Sequence, residues 1–255
     1  LVSLITKKIS EVKGTVIIFD YHNDYTTLNI PNVNVIDAKI NPRLLEADQF
    51  SEVLEIRENA DVQQRVLRMS FTQEVKEAGE FWNKLEYEVD LLVNSEDKKL
   101  KEIRTSAYRV QDIIEDAQRR FDDILDPEVG NPMDYIKEGC TNIINISELS
   151  EKQANVAMGF YLQQLLKDRK NATIAKHGKS KKQKDYKFFE PVFIILEEAH
   201  VFIPKDHDTA AKYWAAKIAR EGRKFGVGLA IVSQRPRSVD LNILSQMGSF
   251  AIMKI

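Results

Sequence analysis

The sequence predicts an α/β fold, in which a mostly parallel β-sheet is covered by helices and interrupted by an all-α helical insertion. Short runs rich in β-branched residues recur along the chain, and helical patterns separate them, which is typical of βαβ units. The first run, 15–20, is continuously apolar from Val16 to Phe19, as expected for a strand buried on both faces. The other predicted strands are 33–36, 141–146, 192–196, 227–232 and 250–253.

Two helices between these strands are predicted from their ends. Ser150 and Gln153 have the spacing of a capping box, which predicts that a helix begins there. One face of this helix is apolar and consists of Met158, Tyr161, Leu162, Leu165 and Leu166. A later helix is expected to begin at Asp208, with its end marked by Gly226.

The stretch from about 50 to 130 has no strand signal and is predicted to form the helical insertion. Its apolar residues alternate steps of four and three, the spacing of a coiled-coil-like seam, at Ile103, Ala107, Val110, Ile114, Ala117, Phe121 and Ile124. Leu85, Val89 and Leu92 suit a partner helix. The predicted organisation is a first part of the core over 1–49, the insertion over 50–130 and the second part of the core over 131–255.

The composition excludes several classes of protein. The 37 basic and 39 acidic residues leave a formal net charge of -2, which argues against a uniformly basic nucleic-acid coat and against a disordered polyelectrolyte. No apolar run approaches the length of about 18 residues that a membrane span needs, so we expect no membrane association. The single cysteine, Cys140, cannot form an intrachain disulfide, which favours a reducing, cytoplasmic location.

The most specific signal for chemistry is the apolar run 192–196, which leads directly into Glu197 and Glu198. Ligands bind at the carboxyl ends of parallel strands, where both carboxylates would lie. A Walker B strand has this pattern: one carboxylate orders a hydrated Mg²⁺ on nucleotide phosphates, and the next orients an attacking water. An exposed strand end is the simpler alternative. Glu197 and His200 also have the E-x-x-H spacing of di-iron sites, but no second copy occurs and Pro204 argues against a helix there.

Other polar residues could join this site. Gln234 follows the strand 227–232 and could hydrogen-bond a γ-phosphate or the attacking water, or it could be an ordinary turn residue. Arg220 and Arg223 share one face at a helix end, where they could meet the helix dipole or reach a neighbouring subunit's phosphate as an arginine finger. Asp20 ends the first strand and could either join the site or cap the following turn.

A strongly basic stretch covers 167–187, where nine Lys or Arg stand against two Asp. Its central lysines are candidates for salt-sensitive, sequence-independent contacts to DNA phosphates: Lys179, Lys181, Lys182 and Lys184. A solvated linker is the alternative.

A phosphate-binding loop of the form Gly-x-x-x-x-Gly-Lys-Ser/Thr does not occur in the sequence. Residues 178–180 resemble its end, but Thr173 stands where the first glycine is needed and no buried strand precedes it. The chain opens in an amphipathic helical pattern without an N-cap and stops just after a predicted strand. We therefore expect an internal piece of a longer protein, which by itself binds nucleotide poorly and is inactive.

Four stretches together resemble the HerA family, archaeal hexameric DNA helicases and translocases of the HerA–FtsK group of ATPases. These stretches are 16–25, 194–204, 218–226 and 232–236. The resemblance implies a RecA-like P-loop NTPase core assembled as a homo-hexamer, with ATP and Mg²⁺ between subunits and double-stranded DNA drawn through the pore. It also implies a NurA-like nuclease as a partner in DNA end resection and recombinational repair.

The resemblance also assigns roles to residues. Glu197 would support Mg²⁺, Glu198 would activate water, and Gln234 would sense the γ-phosphate. Arg223, with Arg220 as the less favoured choice, would act from the neighbouring subunit.

Besides the phosphate loop, the N-terminal barrel domain of HerA proteins is missing from the sequence. Two other functions remain open: a non-hydrolysing RecA-like interaction module, and a related ATPase of secretion or conjugation.

Overall fold

The computed structural model describes residues 1–26, 32–57, 59–176 and 186–253, which fall into two units. The first unit comprises Leu1–Ala38 and Met133–Ile255, and the second comprises Lys39–Pro132. The helices, in chain order, are α1 Val2–Glu11, α2 Ala47–Val53, α3 Asp61–Ser70, α4 Gln73–Glu77, α5 Phe81–Val93, α6 Lys98–Lys101, α7 Arg104–Arg120, α8 Glu151–Lys176, α9 Ala199–Phe202, α10 Ala210–Glu221 and α11 Leu241–Leu244.

A five-stranded parallel sheet forms the centre of the first unit. Its strands are β1 Thr15–Asp20, β2 Val33–Asp37, β3 Thr141–Asn145, β4 Val192–Leu196 and β5 Val227–Ile231, arranged in the order β2-β3-β1-β4-β5. All six residues of β1 are buried, as its continuous apolar pattern predicts. Phe19 of β1 pairs with Ile144 on one side and with Leu196 on the other. Because every pairing is parallel, the carboxyl ends of the strands meet at one edge of the sheet.

The predicted capping box begins α8. The Ser150 backbone N–H donates to Gln153 Oε1 at 2.8 Å, and the Gln153 backbone N–H donates to Ser150 Oγ at 3.3 Å. The predicted apolar face of α8 is buried. The helix α10 begins at Ala210 instead of Asp208, because the hydroxyl of Thr209 accepts the Lys212 N–H at 2.9 Å and caps the first turn.

The predicted strand at 250–253 is wrong. These residues have no strand conformation, and Ile252 is 96% exposed. Apolar and β-branched residues form a strand only where a neighbouring strand supplies hydrogen bonds and a packing surface. Within the part of the chain that the structure describes, 250–253 pairs with no strand.

The second unit is helical and covers Lys39–Pro132, whereas the insertion is predicted over 50–130. Its start at Lys39 is explained by a β-bridge between Ile40 and Leu125. All seven predicted seam residues in and around α7 are buried. On the partner helix α5, Val93 is buried where Leu92 was expected, because the helix keeps a spacing of four after Val89. None of the helices in the described ranges has the length and apolarity that crossing a membrane requires.

Candidate active site

The predicted carboxylates and the glutamine gather at the carboxyl edge of the sheet. Asp20 is the last residue of β1, Glu197 and Glu198 follow β4 directly, and Gln234 follows β5. These three strands are neighbours, with β4 between the other two. The sheet topology therefore brings together residues that are far apart in the sequence.

Two backbone hydrogen bonds continue the pairing of β4 and β5 beyond the strand ends. The Val232 N–H donates to the Leu196 carbonyl at 2.9 Å, and the Ala199 N–H donates to the Val232 carbonyl at 2.9 Å. These bonds hold the turn after β4 against the turn after β5. The position of Glu198 next to Gln234 follows from this pairing.

Glu198 is enclosed by polar groups although its side chain is nearly buried. The residue is 7% exposed, and its Oε1 accepts a hydrogen bond from Gln234 Nε2 at 3.1 Å. Its Oε2 lies 3.1 Å from His200 Nδ1, and His22 Nε2 lies 3.9 Å from Oε1. A buried carboxylate requires such partners, because its desolvation would otherwise cost several kcal/mol.

The backbone of Glu198 is in the left-handed region, with φ of 45° and ψ of 41°. For a residue other than glycine this conformation costs about 1–3 kcal/mol, and such strain is concentrated at functional sites. The strained residue directly precedes α9, a single helical turn that was not expected after β4. The turn carries His200 back toward the Glu198 carboxylate.

His200 belongs to this cluster in a role that the sequence does not reveal. Its Nδ1 lies 3.2 Å from the hydroxyl of Ser233, and that hydroxyl accepts the Arg235 N–H at 3.0 Å. The network therefore links the turns after β4 and β5 through side chains as well as backbone. The E-x-x-H spacing points to His200, but it suggests a metal ligand instead of a partner for Glu198.

Glu197 has a different partner. The hydroxyl of Tyr25 donates a hydrogen bond to Glu197 Oε1. Burial raises the pKa of Glu197, the bond from Tyr25 lowers it, and the charges of Glu198, Asp20 and Asp24 raise it, so that the pKa lies above its usual value. Burial and the Glu197 carboxylate also raise the pKa of Tyr25, which keeps its hydroxyl protonated as a donor.

Asp20 supports the turn that carries Tyr25. It is 1% exposed, and its Oδ1 and Oδ2 accept the backbone N–H groups of Asp24 and Tyr25, each at 3.0 Å. This is the turn-capping arrangement that the sequence left open. The role of Asp20 near a nucleotide remains a prediction.

The residues around Glu197 fit a hydrated Mg²⁺ that is held mainly by nucleotide phosphate and water. No cluster of three or more His, Cys, Asp or Glu side chains within the described ranges is arranged to hold a metal by itself. A nucleotide-bound Mg²⁺ needs only one or two carboxylates. Glu197 offers one half-buried carboxylate. A cation bound there would neutralise the negative charge of the acidic residues that raise the pKa of Glu197.

Arg220 and Arg223 lie at the other end of the sheet. Arg220 is in the last turn of α10, and Arg223 is in the 3₁₀ turn Gly222–Phe225, just before β5. The length of β5, about 15 Å, separates this turn from the edge that carries Gln234. Both arginines are exposed, and neither forms an ion pair within the described ranges. The structure therefore does not bring them to Glu198 of the same chain.

The helix α8 anchors the segment that carries these arginines. Arg169 is 5% exposed and donates to the carbonyls of Phe188, Phe189 and Phe225 at 2.6, 2.7 and 3.1 Å. The neighbouring Lys170 donates to Glu221 Oε1 at 2.7 Å. The turn around Arg223 is therefore held in place by α8.

The four lysines predicted to contact DNA lie outside the described residues, and their role remains a prediction: Lys179, Lys181, Lys182 and Lys184. Within the described ranges, Asp168 accepts the N–H groups of Lys187 and Phe188, the latter at 2.9 Å. The residues that follow the four lysines are thus hydrogen-bonded to α8.

Solved structures show the same fold. VirB4 of Thermoanaerobacter pseudethanolicus superposes with a TM-score of 0.52 at 16% sequence identity, covering 86% of this chain and 62% of that one. At this identity the similarity concerns the fold alone. The predicted class, an α/β RecA-like P-loop NTPase core with a mostly parallel sheet, is confirmed.

Comparison of sequences identifies the family, which similarity of fold alone does not. The family model described as the central domain of the helicase HerA matches residues 1–165. The chain is 38% identical to the DNA double-strand break repair helicase HerA of Sulfolobus acidocaldarius and 42% identical to that of Sulfurisphaera tokodaii, over 100% of this chain and 52% of each relative. It thus spans about half the length of these relatives. With a family match over more than half of its residues and relatives well above 30% identity along its whole length, the chain belongs to the HerA helicase family.

Proposed function

We propose that this chain is part of the ATPase core of a motor that hydrolyses ATP and translocates along double-stranded DNA. The observation that carries the proposal is the buried Glu198 carboxylate, bonded to Gln234 at the carboxyl edge of the sheet. A protein that serves only as a binding scaffold has no need to bury a carboxylate on a strained backbone. The DNA substrate is supported by the names of the relatives, which are DNA repair helicases.

Each residue of the cluster has a role in this proposal. Glu198 orients the attacking water and accepts its proton, while the amide of Gln234 holds the γ-phosphate or the same water. Glu197 holds the magnesium ion of the nucleotide through water. When bound, this ion neutralises charge on the phosphates. His200 keeps the Glu198 carboxylate in place.

The proposal concerns a polypeptide of the length of the relatives, because the phosphate-binding loop is not in this sequence. We further propose that six such subunits form a ring, in which Arg223 of one subunit, or less favourably Arg220, contacts the phosphate at Glu198 of its neighbour. The exposure of both arginines and their distance from Glu198 in the same chain support a role in a second subunit.

We also propose a cytoplasmic role in repairing broken DNA, in which the motor feeds DNA ends to a NurA-like nuclease. Only the resemblance and the repair helicase names of the relatives support this part. Its test is whether the nuclease copurifies with the motor and resects a linear duplex only when ATP is hydrolysed.

The central test is ATP hydrolysis by the full-length protein, with and without double-stranded DNA. We expect duplex DNA to stimulate hydrolysis and Glu198→Gln to lower it by at least about 100-fold, since a general base contributes a factor of this size. Binding of ATP should survive, because the substitution keeps the shape of the side chain. The matched control is Glu190→Gln, an exposed carboxylate before β4, which should hydrolyse ATP normally.

The other outcomes identify the alternative functions. Hydrolysis that depends on Glu198 but does not respond to DNA would favour a secretion or conjugation ATPase. A full-length protein that binds partners but does not hydrolyse ATP would be an interaction module.

A further inference from the structure

Tyr25 connects the ends of β1 and β4 through hydrogen bonds at both of its ends. Its backbone N–H donates to Asp20 Oδ2 at 3.0 Å, and its hydroxyl donates to Glu197 Oε1. The ring between these bonds is buried against apolar residues of three strands, namely Val16, Ile18, Ile143 and Ile195. A tyrosine held in this way has little freedom to move its hydroxyl.

This arrangement constrains the Glu197 side chain. A glutamate at a strand end has several rotamers, and the neighbouring acidic residues favour those that point away from them. The bond from Tyr25 selects one orientation and occupies one carboxylate oxygen. The other oxygen, Oε2, forms no hydrogen bond within the described ranges and can accept one from a water molecule on a cation.

We propose that Tyr25 is a positioning residue, which holds the Glu197 carboxylate so that its second oxygen receives the hydrated Mg²⁺ of a bound nucleotide. Asp20 acts one step further away, because it holds the turn from which Tyr25 reaches Glu197. This inference rests on the proposed function, since it concerns the same nucleotide site. It differs from a purely structural role, in which the ring of Tyr25 fills the core and its hydroxyl is dispensable.

The test is the gain in nucleotide affinity that Mg²⁺ produces in the full-length protein. A fluorescent, non-hydrolysable ATP analogue is titrated in Mg²⁺ and in EDTA. The Kd in EDTA divided by the Kd in Mg²⁺ gives the gain in affinity, and this ratio is compared between variants. Tyr25→Phe keeps the ring and removes only the hydroxyl. We expect the ratio to fall about tenfold, as when a group that orients a metal ligand is removed, while the Kd in EDTA stays unchanged.

Three further variants sharpen the test. Tyr21→Phe is the matched control, because its ring packs on Phe202 and its hydroxyl bonds to no described residue, so the ratio should not change. Asp20→Asn keeps the Tyr25 hydroxyl but weakens the turn, and it should lower the ratio by a smaller factor. Glu197→Gln combined with Tyr25→Phe should lower the ratio no further than Glu197→Gln alone, since both act through one carboxylate.

Results opposite to these expectations would overturn either the role of Tyr25 or the proposed function. A Tyr25→Phe protein with the wild-type ratio, or with equal losses in Mg²⁺ and EDTA, would show that the hydroxyl does not position Glu197. Additive losses in the double variant would also contradict the proposal. A wild-type protein that binds the analogue in neither condition would overturn the proposed function itself.

Discussion

The position of Glu198 at the sheet edge follows from the local sequence, whereas its backbone conformation and its contacts depend on the packing around it. Two acidic residues after an apolar strand predict a pair of carboxylates at the sheet edge, and the structure has them there. The left-handed backbone of Glu198 and its contact with His200 were not predictable. Both depend on how the turn after β5 packs against the turn after β4, which local sequence does not determine.

At the residue scale we predict that His200→Ala impairs hydrolysis without impairing binding. His200 lies against one oxygen of Glu198, and without it the carboxylate gains freedom to leave the position required for the attacking water. We expect kcat for ATP to fall about 10- to 100-fold, the loss typical of a misplaced catalytic group. The Kd for ATP should change little.

His207→Ala is the control for this substitution, because the His207 side chain is exposed and pairs only with Asp206 among the described residues. It should leave kcat unchanged. If both histidine variants lose the same activity, His200 has no specific role at Glu198.

At the scale of secondary-structure elements, the sequence predicts best where one pattern suffices. Short runs rich in β-branched and apolar residues located the five strands, and the capping box located the start of α8. The same kind of run at 250–253 led to a wrong strand, because a strand also needs a partner. The role of α8 in holding the arginine-bearing turn was not predictable either, since Arg169 resembles any other residue of a basic stretch.

We predict that Arg169→Lys destabilises the first unit. The guanidinium satisfies three backbone carbonyls from one buried position, and a lysine ammonium has neither the planar geometry nor the number of donors to replace it. The free energy of unfolding should fall by about 3 kcal/mol, since buried acceptors left unpaired cost about 1–3 kcal/mol each.

Chemical denaturation followed by circular dichroism measures this loss. Arg237→Lys, an exposed arginine of the same unit, should unfold at the wild-type denaturant concentration. An equally stable Arg169→Lys protein would show that α8 does not anchor the turn around Arg223.

At the scale of the whole molecule, the site residues fall into two groups. Glu197, Glu198 and Gln234 lie at the carboxyl edge of the sheet, whereas Arg220 and Arg223 lie near the amino end of β5. From the sequence one can predict that the residues at the carboxyl edge and the arginines act on the same triphosphate, as the HerA resemblance implies. It cannot show that one chain keeps them apart, because that separation depends on the direction of α10 and β5 in the folded sheet.

The central claim is therefore that a complete site needs two copies of the protein, one supplying Glu198 and the other supplying Arg223. Full-length Glu198→Gln and Arg223→Ala proteins are each expected to be inactive in DNA-stimulated ATP hydrolysis. When equal amounts are allowed to exchange subunits, about a quarter of the interfaces in a ring pair an intact glutamate with an intact arginine. Mixing Glu198→Gln with the double variant gives no such interface and serves as the control.

The direct measurement is the ATP hydrolysis rate of the mixture of Glu198→Gln and Arg223→Ala. A site shared between subunits predicts recovery toward about a quarter of the wild-type rate, with none in the control mixture. A mixture that hydrolyses ATP no faster than either variant alone would contradict it.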